Sequence, residues 1–589
     1  MEGPERSQGN FLKTGDARPT SNHVKRNLPV LAVLAAATLC GWAALVQLVP
    51  IAGIFRWDEA AHAMQGLLIA HDLRTGDWLA FLYDSYRQVY WPPLHSWLAA
   101  AAFLVAGPSE ASARAVSVLA YAILAPVLYV AGRHVVGTRP DALEHGQIWL
   151  RPAASGLIAA ALALTSPTLL THASQAMLES TGLLALAAAF LAFFRTTSPA
   201  ARPIYYTLLG VTVLIAYFVK TNYGLLLLLA LILFLSAEWM VRPGRVTRRQ
   251  LAYAVVPMGV VWVVWFMYPP KILSTWQALV NQPWNADQAS GLEWWLFYPR
   301  AMLDMSGSPG ILALFIAAWL TAVRRGGRNV RFLVFFVGLQ LLVAQVHQTK
   351  HLRHILPVFP ALFLLSGFAV TEWWTRLRGK VPARLLLAGV LSAAWVAMLV
   401  SLPSRDWRST TAQSDPALLA RIAANSAGGD RTLVVSAVEV RFAAPPVLDW
   451  YLAVHAGLLA PPGAGEALKP VVQRRIARTA ERTLPASLWL RVRPLVTRAE
   501  HAGQVRTFYM DLSGDERQEV IEELRISLEK MRSGRIVSVT STLANARWPA
   551  HSIAEVIARA GGWVLVADER LDAQAVRVGV WQRARAIVR

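Results

Sequence analysis

The stretch NLPVLAVLAAATLCGWAALVQLVPIAGIFRWDEAAH at 27–62 joins a long apolar run to two adjacent carboxylates. Residues 27–52 exceed the roughly 20 apolar residues that a membrane-spanning helix needs, and the run is too long for the apolar region of a signal peptide. Asp58 and Glu59 follow shortly after the run ends. The stretch therefore predicts a retained first transmembrane helix that leads into an acidic loop.

Further apolar runs follow along the chain. Together they predict a polytopic α-helical membrane protein of about eleven transmembrane helices, near 27–52, 111–131, 153–170, 176–194, 203–219, 222–239, 250–268, 308–323, 329–346, 355–373 and 383–402. The run at 93–106 is shorter, and its length of roughly 21 Å as a helix does not cross a hydrocarbon core of about 30 Å. We expect it to form an interfacial or re-entrant helix in the first outer loop.

The distribution of charge supports this topology. The chain carries 57 Lys plus Arg against 36 Asp plus Glu, and this net charge of +21 taken alone is compatible with a nucleic-acid partner. With the N-terminus in the cytoplasm, however, the cytoplasmic segments of the first 402 residues hold 22 Lys plus Arg and the outer loops only 8, as the positive-inside rule requires. We therefore expect a multi-pass protein of the cytoplasmic (inner) membrane, in contact with membrane lipids and without a nucleic-acid partner.

An odd number of spans divides the chain into three parts. We expect residues 1–26 to form a cytoplasmic tail, 27–402 the transmembrane domain, and 403–589 a domain on the periplasmic or extracellular side. In the last part, 431–438, 535–542, 563–569 and 576–581 have the pattern of buried strands and alternate with helical segments such as 514–534. This alternation predicts a C-terminal α/β extracytoplasmic domain.

Three carboxylates stand where predicted spans meet the outer side. Asp58 and Glu59 follow the first span, and Glu179 lies where the fourth begins. Ionisable groups at an apolar boundary are costly without a role, and a neighbouring negative charge raises the pKa of one carboxyl, which suits a proton acceptor. We predict that these three residues are catalytic. The alternative is a solvated loop end that caps the next helix.

Three cations, Lys220, Lys350 and Arg353, also face outward and are exceptions to the positive-inside distribution. Phosphate is their natural partner at a lipid headgroup boundary. The alternative is general contact with headgroups. Further candidates for substrate contact are polar or aromatic residues on the same side: His62, Tyr90, Trp91 and His172.

In this order, the motifs resemble the GT-C superfamily of polyprenyl-phosphate-sugar-dependent glycosyltransferases. The nearest branch contains aminoarabinose and galacturonic-acid transferases and protein O-mannosyltransferases. The resemblance covers roughly 27–402 and implies a GT-C-like fold. It is carried by Asp58-Glu59, Pro92-Pro93-Leu94-x-x-Trp97 with Gly107 and Arg114, Ser166-Pro167, Glu179, Lys220-Thr221, and Lys350-x-x-Arg353-x-x-x-Pro357.

The resemblance implies a sugar transfer from a polyprenyl-phosphate-linked sugar donor to a hydroxyl on a lipid, glycan or protein acceptor, with inversion. Asp58 would accept or orient the acceptor proton and Glu179 would assist. Lys350, Arg353 and Lys220 would hold the donor phosphate. No cofactor is certain, although Asp58 and Glu179 could share a divalent cation such as Mg²⁺, Mn²⁺ or Ca²⁺. The alternatives are a membrane transporter or lipid flippase, or a non-catalytic envelope-assembly protein.

Overall fold

The structure is a computed structural model. It describes residues 20–136 except 87, 89 and 90, then 150–197, 201–241, 247–267, 271, 272, 275, and 291–402 except 348 and 349. Beyond these it describes 415–427, 432–437, 445–457, 505–510, 521, 522, 524, 525, 528, 534–541, 550–571 and 576–583. The predicted substrate residue Tyr90 lies outside the described residues.

Helices dominate the described part of the first 402 residues. They are α1 (Thr20–Ala43, continued by Ala44–Leu48 and Val49–Ile51), α2 (Trp57–Thr75), α3 (Trp78–Tyr86), α4 (Leu94–Ala106), α5 (Glu110–Val135), α6 (Leu150–Thr165), α7 (Pro167–Ala173), α8 (Leu178–Thr196), α9 (Pro203–Val219), α10 (Thr221–Val241), α11 (Arg248–Phe266), α12 (Gly291–Ser306), α13 (Pro309–Arg325), α14 (Arg328–Val346), α15 (Val358–Arg376) and α16 (Val381–Val400).

The lengths of these helices support most of the predicted spans. Among the described residues, eight helices are long and apolar enough to cross a membrane, and two bent pairs, α6 with α7 and α12 with α13, raise the number to ten. Helix α9 has 17 residues, about 25 Å, and is shorter than the helices in this count, so the eleventh predicted span stays a prediction. The short helix α4 has 13 residues, and its length confirms that it is too short to span.

The bends within these two pairs were not predicted from the sequence. The axis turns by 58° between α6 and α7 and by 112° between α12 and α13. Pro167 lacks the backbone N–H that would continue the first helix, and Gly307 takes a φ of +78° at the second bend, a conformation that favours glycine. The Thr168 hydroxyl donates to the Met305 carbonyl at 2.7 Å, so the two bends are tied together.

The C-terminal part contains a mixed five-stranded sheet in the order β2-β1-β3-β5-β4. Its strands are β1 (Thr432–Ala437), β2 (Val505–Met510), β3 (Arg535–Ser541), β4 (Trp563–Leu571) and β5 (Val576–Arg583). The β1–β2 and β1–β3 pairs are parallel, whereas β3–β5 and β4–β5 are antiparallel. Helices α17 (Pro416–Ser426), α18 (Pro445–Trp450) and α19 (Ala550–Arg559) accompany the sheet. Four strands confirm the predicted α/β character, and β2 was not predicted.

The C-terminal part packs against the membrane part through Trp450. Its ring centroid lies 4.9 Å from that of Phe55 and 5.7 Å from that of Phe103. The Trp450 indole donates to Glu110 Oε1 at 3.0 Å, and His455 Nε2 lies 2.8 Å from the same oxygen. Phe55 lies just before the start of α2, so this contact lies next to the helix start that carries Asp58.

Candidate functional site

Four charged side chains from separate segments form one charge cluster: Asp58, Glu179, Lys220 and Arg353. Arg353 Nη1 donates to Asp58 Oδ2 at 2.6 Å, and its Nε lies 3.6 Å from Glu179 Oε1. Lys220 Nζ donates to the same Glu179 oxygen at 2.7 Å. Residues separated by up to 295 positions therefore form a continuous chain of alternating charge.

The ends of helices place these four side chains. Asp58 and Glu179 lie in the first turns of α2 and α8, where the helix dipole favours a negative charge. Lys220 occupies the extended break between α9 and α10. Arg353 lies in a single turn, Leu352–His354, whose start is capped by the His351 imidazole accepting from the Arg353 N–H at 3.1 Å.

The charge cluster is closed on one side and open on the other. The Glu179 side chain is 1% exposed and that of Lys220 16%, whereas Asp58 and Arg353 are 36% and 34% exposed. Asp58 and Arg353 therefore present the accessible surface of the charge cluster.

The ion pair between Asp58 and Arg353 determines the protonation states of both side chains. Burial favours a higher pKa for Asp58, but the Arg353 guanidinium outweighs it and holds the pKa of Asp58 below its ordinary value of 3.8. Burial likewise disfavours a charged Arg353, yet Glu179 and Asp58 raise its pKa above the ordinary value. Asp58 is consequently a carboxylate at neutral pH.

Glu59 has different contacts from its neighbour Asp58. It is buried and accepts from Arg114 Nε at 3.0 Å and Nη2 at 3.3 Å. It also accepts the backbone N–H groups of Ala176 at 2.8 Å and Arg56 at 3.2 Å. Four hydrogen bonds occupy both oxygens, so these contacts favour a positioning role in which Glu59 holds the start of α2 against α5 and the turn before α8.

Two buried imidazoles, those of His62 and His95, and the half-buried Trp91 ring lie near Asp58. His62 lies on the same face of α2 as Asp58, one turn along. The His62 ring centroid lies 4.4 Å from that of Trp91 and 5.7 Å from that of His95. His95 Nδ1 lies 3.3 Å from the Thr181 hydroxyl. Burial, assisted by His95, lowers the pKa of His62 to about 3, and burial lowers that of His95 to about 4. Both imidazoles are neutral at physiological pH.

Lys350, predicted to hold phosphate, contacts a different region. Among the described residues, its ammonium donates to carbonyls at the C-terminal end of α14, including His347 at 3.1 Å and Ala344 at 3.3 Å. It also lies 3.7 Å from the ring centroid of Trp294. The ammonium would have to leave these partners to reach a phosphate, so this role stays a prediction.

Three buried polar atoms near the charge cluster have no hydrogen-bond partner within the described ranges: Glu179 Oε2, His172 Nδ1 and the Tyr223 hydroxyl. Tyr223 is fully buried, and its ring centroid lies 4.9 Å from Lys220 Nζ. His172 interacts electrostatically with Glu179 and Lys220. Tyr223 and His95 were missed as site residues, although Tyr223 lies one turn after Lys220 and His95 lies within the motif that begins at Pro92.

The described residues contain no group of three or more His, Cys, Asp or Glu side chains that could hold a metal ion. Asp58 and Glu179 were the carboxylates expected to share a cation. The Arg353 guanidinium pairs with both of them, and the shared cation stays a prediction.

Comparison with solved structures identifies the fold. The crystal structure of ArnT from Cupriavidus metallidurans bound to undecaprenyl phosphate aligns with a TM-score of 0.52 and 16% identity over 94% of this chain and 98% of that chain. The apo state of the same protein aligns with a TM-score of 0.51 and 16% identity, covering 94% and 97%. No protein-family model and no curated protein matches the sequence. The chain shares the overall fold of ArnT and combines apolar helices long enough to span a membrane with a C-terminal sheet, which confirms the predicted fold class.

Proposed function

We propose that this protein is an integral-membrane glycosyltransferase that moves a sugar from a polyprenyl-phosphate carrier to a hydroxyl acceptor at the outer face of the inner membrane. The observation that carries the proposal is the partly open Asp58–Arg353 pair, which presents an anion-binding cation beside a carboxylate. The fold supports it, because ArnT shares that fold and its crystal structure holds undecaprenyl phosphate.

The donor phosphate would bind Arg353. A guanidinium binds phosphate oxygens through paired hydrogen bonds, and the donor would compete with Asp58 for this partner. Lys220 would continue to neutralise Glu179. Arg353 would then stabilise the charge that develops on the departing polyprenyl phosphate.

Asp58 would take the acceptor proton once the donor phosphate has engaged Arg353. Losing that cation raises the proton affinity of the carboxylate, so donor binding would convert Asp58 from an ion-pair partner into a base. The acceptor oxygen would form a bond to the anomeric carbon as the carbon–oxygen bond to phosphate breaks. The proton would pass to Asp58 and polyprenyl phosphate would leave, with one inversion at the anomeric carbon.

The unpartnered polar atoms would orient the reactants. Glu179 Oε2, His172 Nδ1 and the Tyr223 hydroxyl are buried beside the charge cluster, and buried polar groups cost free energy unless they are hydrogen-bonded. Hydroxyls of a sugar or of the acceptor would supply the missing partners.

The position of the charge cluster disfavours a transporter or flippase. Such proteins place their ionisable groups near the middle of the membrane, in interrupted helices of related repeats. Here Asp58 and Glu179 lie in the first turns of their helices, and Lys220 and Arg353 lie between helices.

The test is complementation of a strain that lacks the protein, followed by mass spectrometry of its lipid-linked sugars. We expect the strain to accumulate a polyprenyl-phosphate sugar and the wild type to clear it. Asp58→Asn should fail to do so, because a positioned base contributes about 10²–10⁴-fold to rate. Glu293→Gln, which removes an exposed carboxylate on α12, is the matched control.

Each outcome bears on a different part of the proposal. Unchanged lipid-linked sugars in the deletion strain would contradict the glycosyltransferase function. Full clearance by Asp58→Asn, at an equal amount of protein in the membrane, would contradict only the role of Asp58.

A further inference from the structure

A groove lies at the end of the helix bundle opposite the charge cluster. Helices α13, α15 and α16 border it, and its volume is about 460 Å³. Helix α14 begins at Arg328, near the groove, and runs for 19 residues toward the turn that holds Arg353. That length is about 28 Å, so the groove is separate from the proposed catalytic site. We call it the arginine groove and define it by Leu320, Arg324, Arg325, Trp373, Arg376 and Leu387.

The rim of the arginine groove is cationic. Arg376 is neutralised by Glu372, with Nη2 and Oε1 2.7 Å apart. Arg324 and Arg325 are exposed, and the structure gives neither side chain an ion pair or hydrogen bond within the described residues. The rim therefore carries two positive charges that no described carboxylate compensates.

The lining of the groove is apolar. The Trp373 indole is fixed by donation to the Thr321 hydroxyl at 3.1 Å, and Leu320 and Leu387 complete the apolar surface. The neighbouring Leu386 is 71% exposed and Leu320 itself 47%. On membrane-spanning helices, such exposed apolar side chains face the acyl chains of lipids.

We propose that the arginine groove binds an anionic phospholipid, with its phosphodiester at Arg324 and Arg325 and an acyl chain against Trp373 and Leu387. Basic pockets between transmembrane helices suit anionic headgroups, and guanidinium groups pair with phosphate oxygens. The apolar lining favours a lipid over free phosphate, because a soluble anion would leave that surface without a partner.

The first test removes charge from the full-length protein purified in mild detergent. Native mass spectrometry would compare retained phosphatidylglycerol with retained phosphatidylcholine. We expect Arg324→Gln/Arg325→Gln to weaken phosphatidylglycerol binding by about 30-fold, as two cations near a lipid surface predict. Arg248→Gln/Arg249→Gln, which removes two exposed arginines at the start of α11, should change it less than about twofold.

A second variant keeps every arginine. Leu387→Trp fills the apolar part of the groove and should reduce phosphatidylglycerol binding while the charge is unchanged. The proposal is overturned if the two double variants lose lipid equally, if the groove variants bind as the wild type does, or if millimolar inorganic phosphate displaces the lipid. Asp58→Asn should retain the lipid, so failure of the proposed catalytic role would not be confused with failure of this one.

Discussion

Asp58 and Glu59 are adjacent in sequence, yet their side chains have opposite surroundings. Asp58 shares a partly exposed ion pair with Arg353, whereas Glu59 is buried with Arg114. Because successive residues of a helix point about 100° apart, one carboxylate faces the open edge and the other faces the junction of α2 with α5. The sequence alone assigned both to catalysis, and the separation of roles depends on partners that are distant in the chain.

We predict that Glu59→Gln destabilises the protein much more than Asp58→Asn. The first change leaves Arg114 buried without its counter-charge, which costs about 3–5 kcal/mol. The second breaks a partly exposed pair and should cost about 0–1 kcal/mol. Thermal unfolding of the purified variants checks the order, and equal losses would contradict the positioning role of Glu59.

The pH dependence of kcat/KM tests the state of Asp58. Asp58 has a lowered pKa, and His62 and His95 titrate at about 3 and 4, so these groups keep one protonation state from about pH 5 to 8. We expect no inflection from them in that range. Arg353→Gln removes the cation and leaves the effect of burial, so the acid limb of the residual activity should move to higher pH. A limb that stays in place would mean that Arg353 does not set the pKa of Asp58.

At the scale of elements, the first turn of α2 depends on a helix from the C-terminal part. Trp450 packs on Phe55 and Phe103 and bonds Glu110. The guanidinium carbon of Arg114 lies 5.1 Å from the Phe55 ring centroid, so a continuous set of contacts joins Trp450 to the ion pair of Glu59. The C-terminal part therefore supports the segment that carries Asp58.

We predict that Trp450→Ala loosens this junction. Loss of a buried tryptophan costs about 3–5 kcal/mol, and it should increase hydrogen exchange in the first turn of α2 and reduce activity. Trp78→Ala, which removes a ring that is 65% exposed, is the control. Unchanged exchange at Asp58 in Trp450→Ala would show that the contact does not position α2.

The hairpin of α9 and α10 places Lys220 through a close approach of two backbones. A Cβ at Gly224 would lie 2.4 Å from the Tyr217 backbone nitrogen, a distance that forces the helices apart. We predict that Gly224→Ala destabilises the protein by about 1–3 kcal/mol or more and weakens donor use. Gly259→Ala on α11 meets nothing within 4 Å, and it should be neutral or stabilise the helix by up to about 1 kcal/mol. Thermal unfolding and donor KM would distinguish the two.

At the scale of the whole molecule, the eleven predicted spans would place the C-terminal part and the arginine groove on opposite sides of the membrane. The single cysteine, Cys40, can be replaced by alanine to provide a background for labelling. We predict that Arg559→Cys, at a side chain that is 76% exposed, reacts with a membrane-impermeant maleimide in intact spheroplasts. Arg248→Cys should react only after permeabilisation. Labelling of both positions from outside would contradict the predicted orientation.

The sequence by itself determined the membrane class, most of the helices that can span a membrane and four of the five described strands. Membrane-spanning helices and buried strands are recognised from runs of apolar residues, and such runs are contiguous in the sequence. It also identified Asp58, Glu179, Lys220 and Arg353, because charges at the ends of apolar helices are costly and conspicuous. The bends at Pro167 and Gly307, the strand β2 and the contact of Trp450 with Phe55 were decided by the tertiary structure. The tertiary structure also decided the different surroundings of the two carboxylates. Glu59 is buried against Arg114, whereas Asp58 is partly exposed beside Arg353. These features depend on pairs of residues distant along the chain, and packing alone determines which side chains meet and which remain exposed.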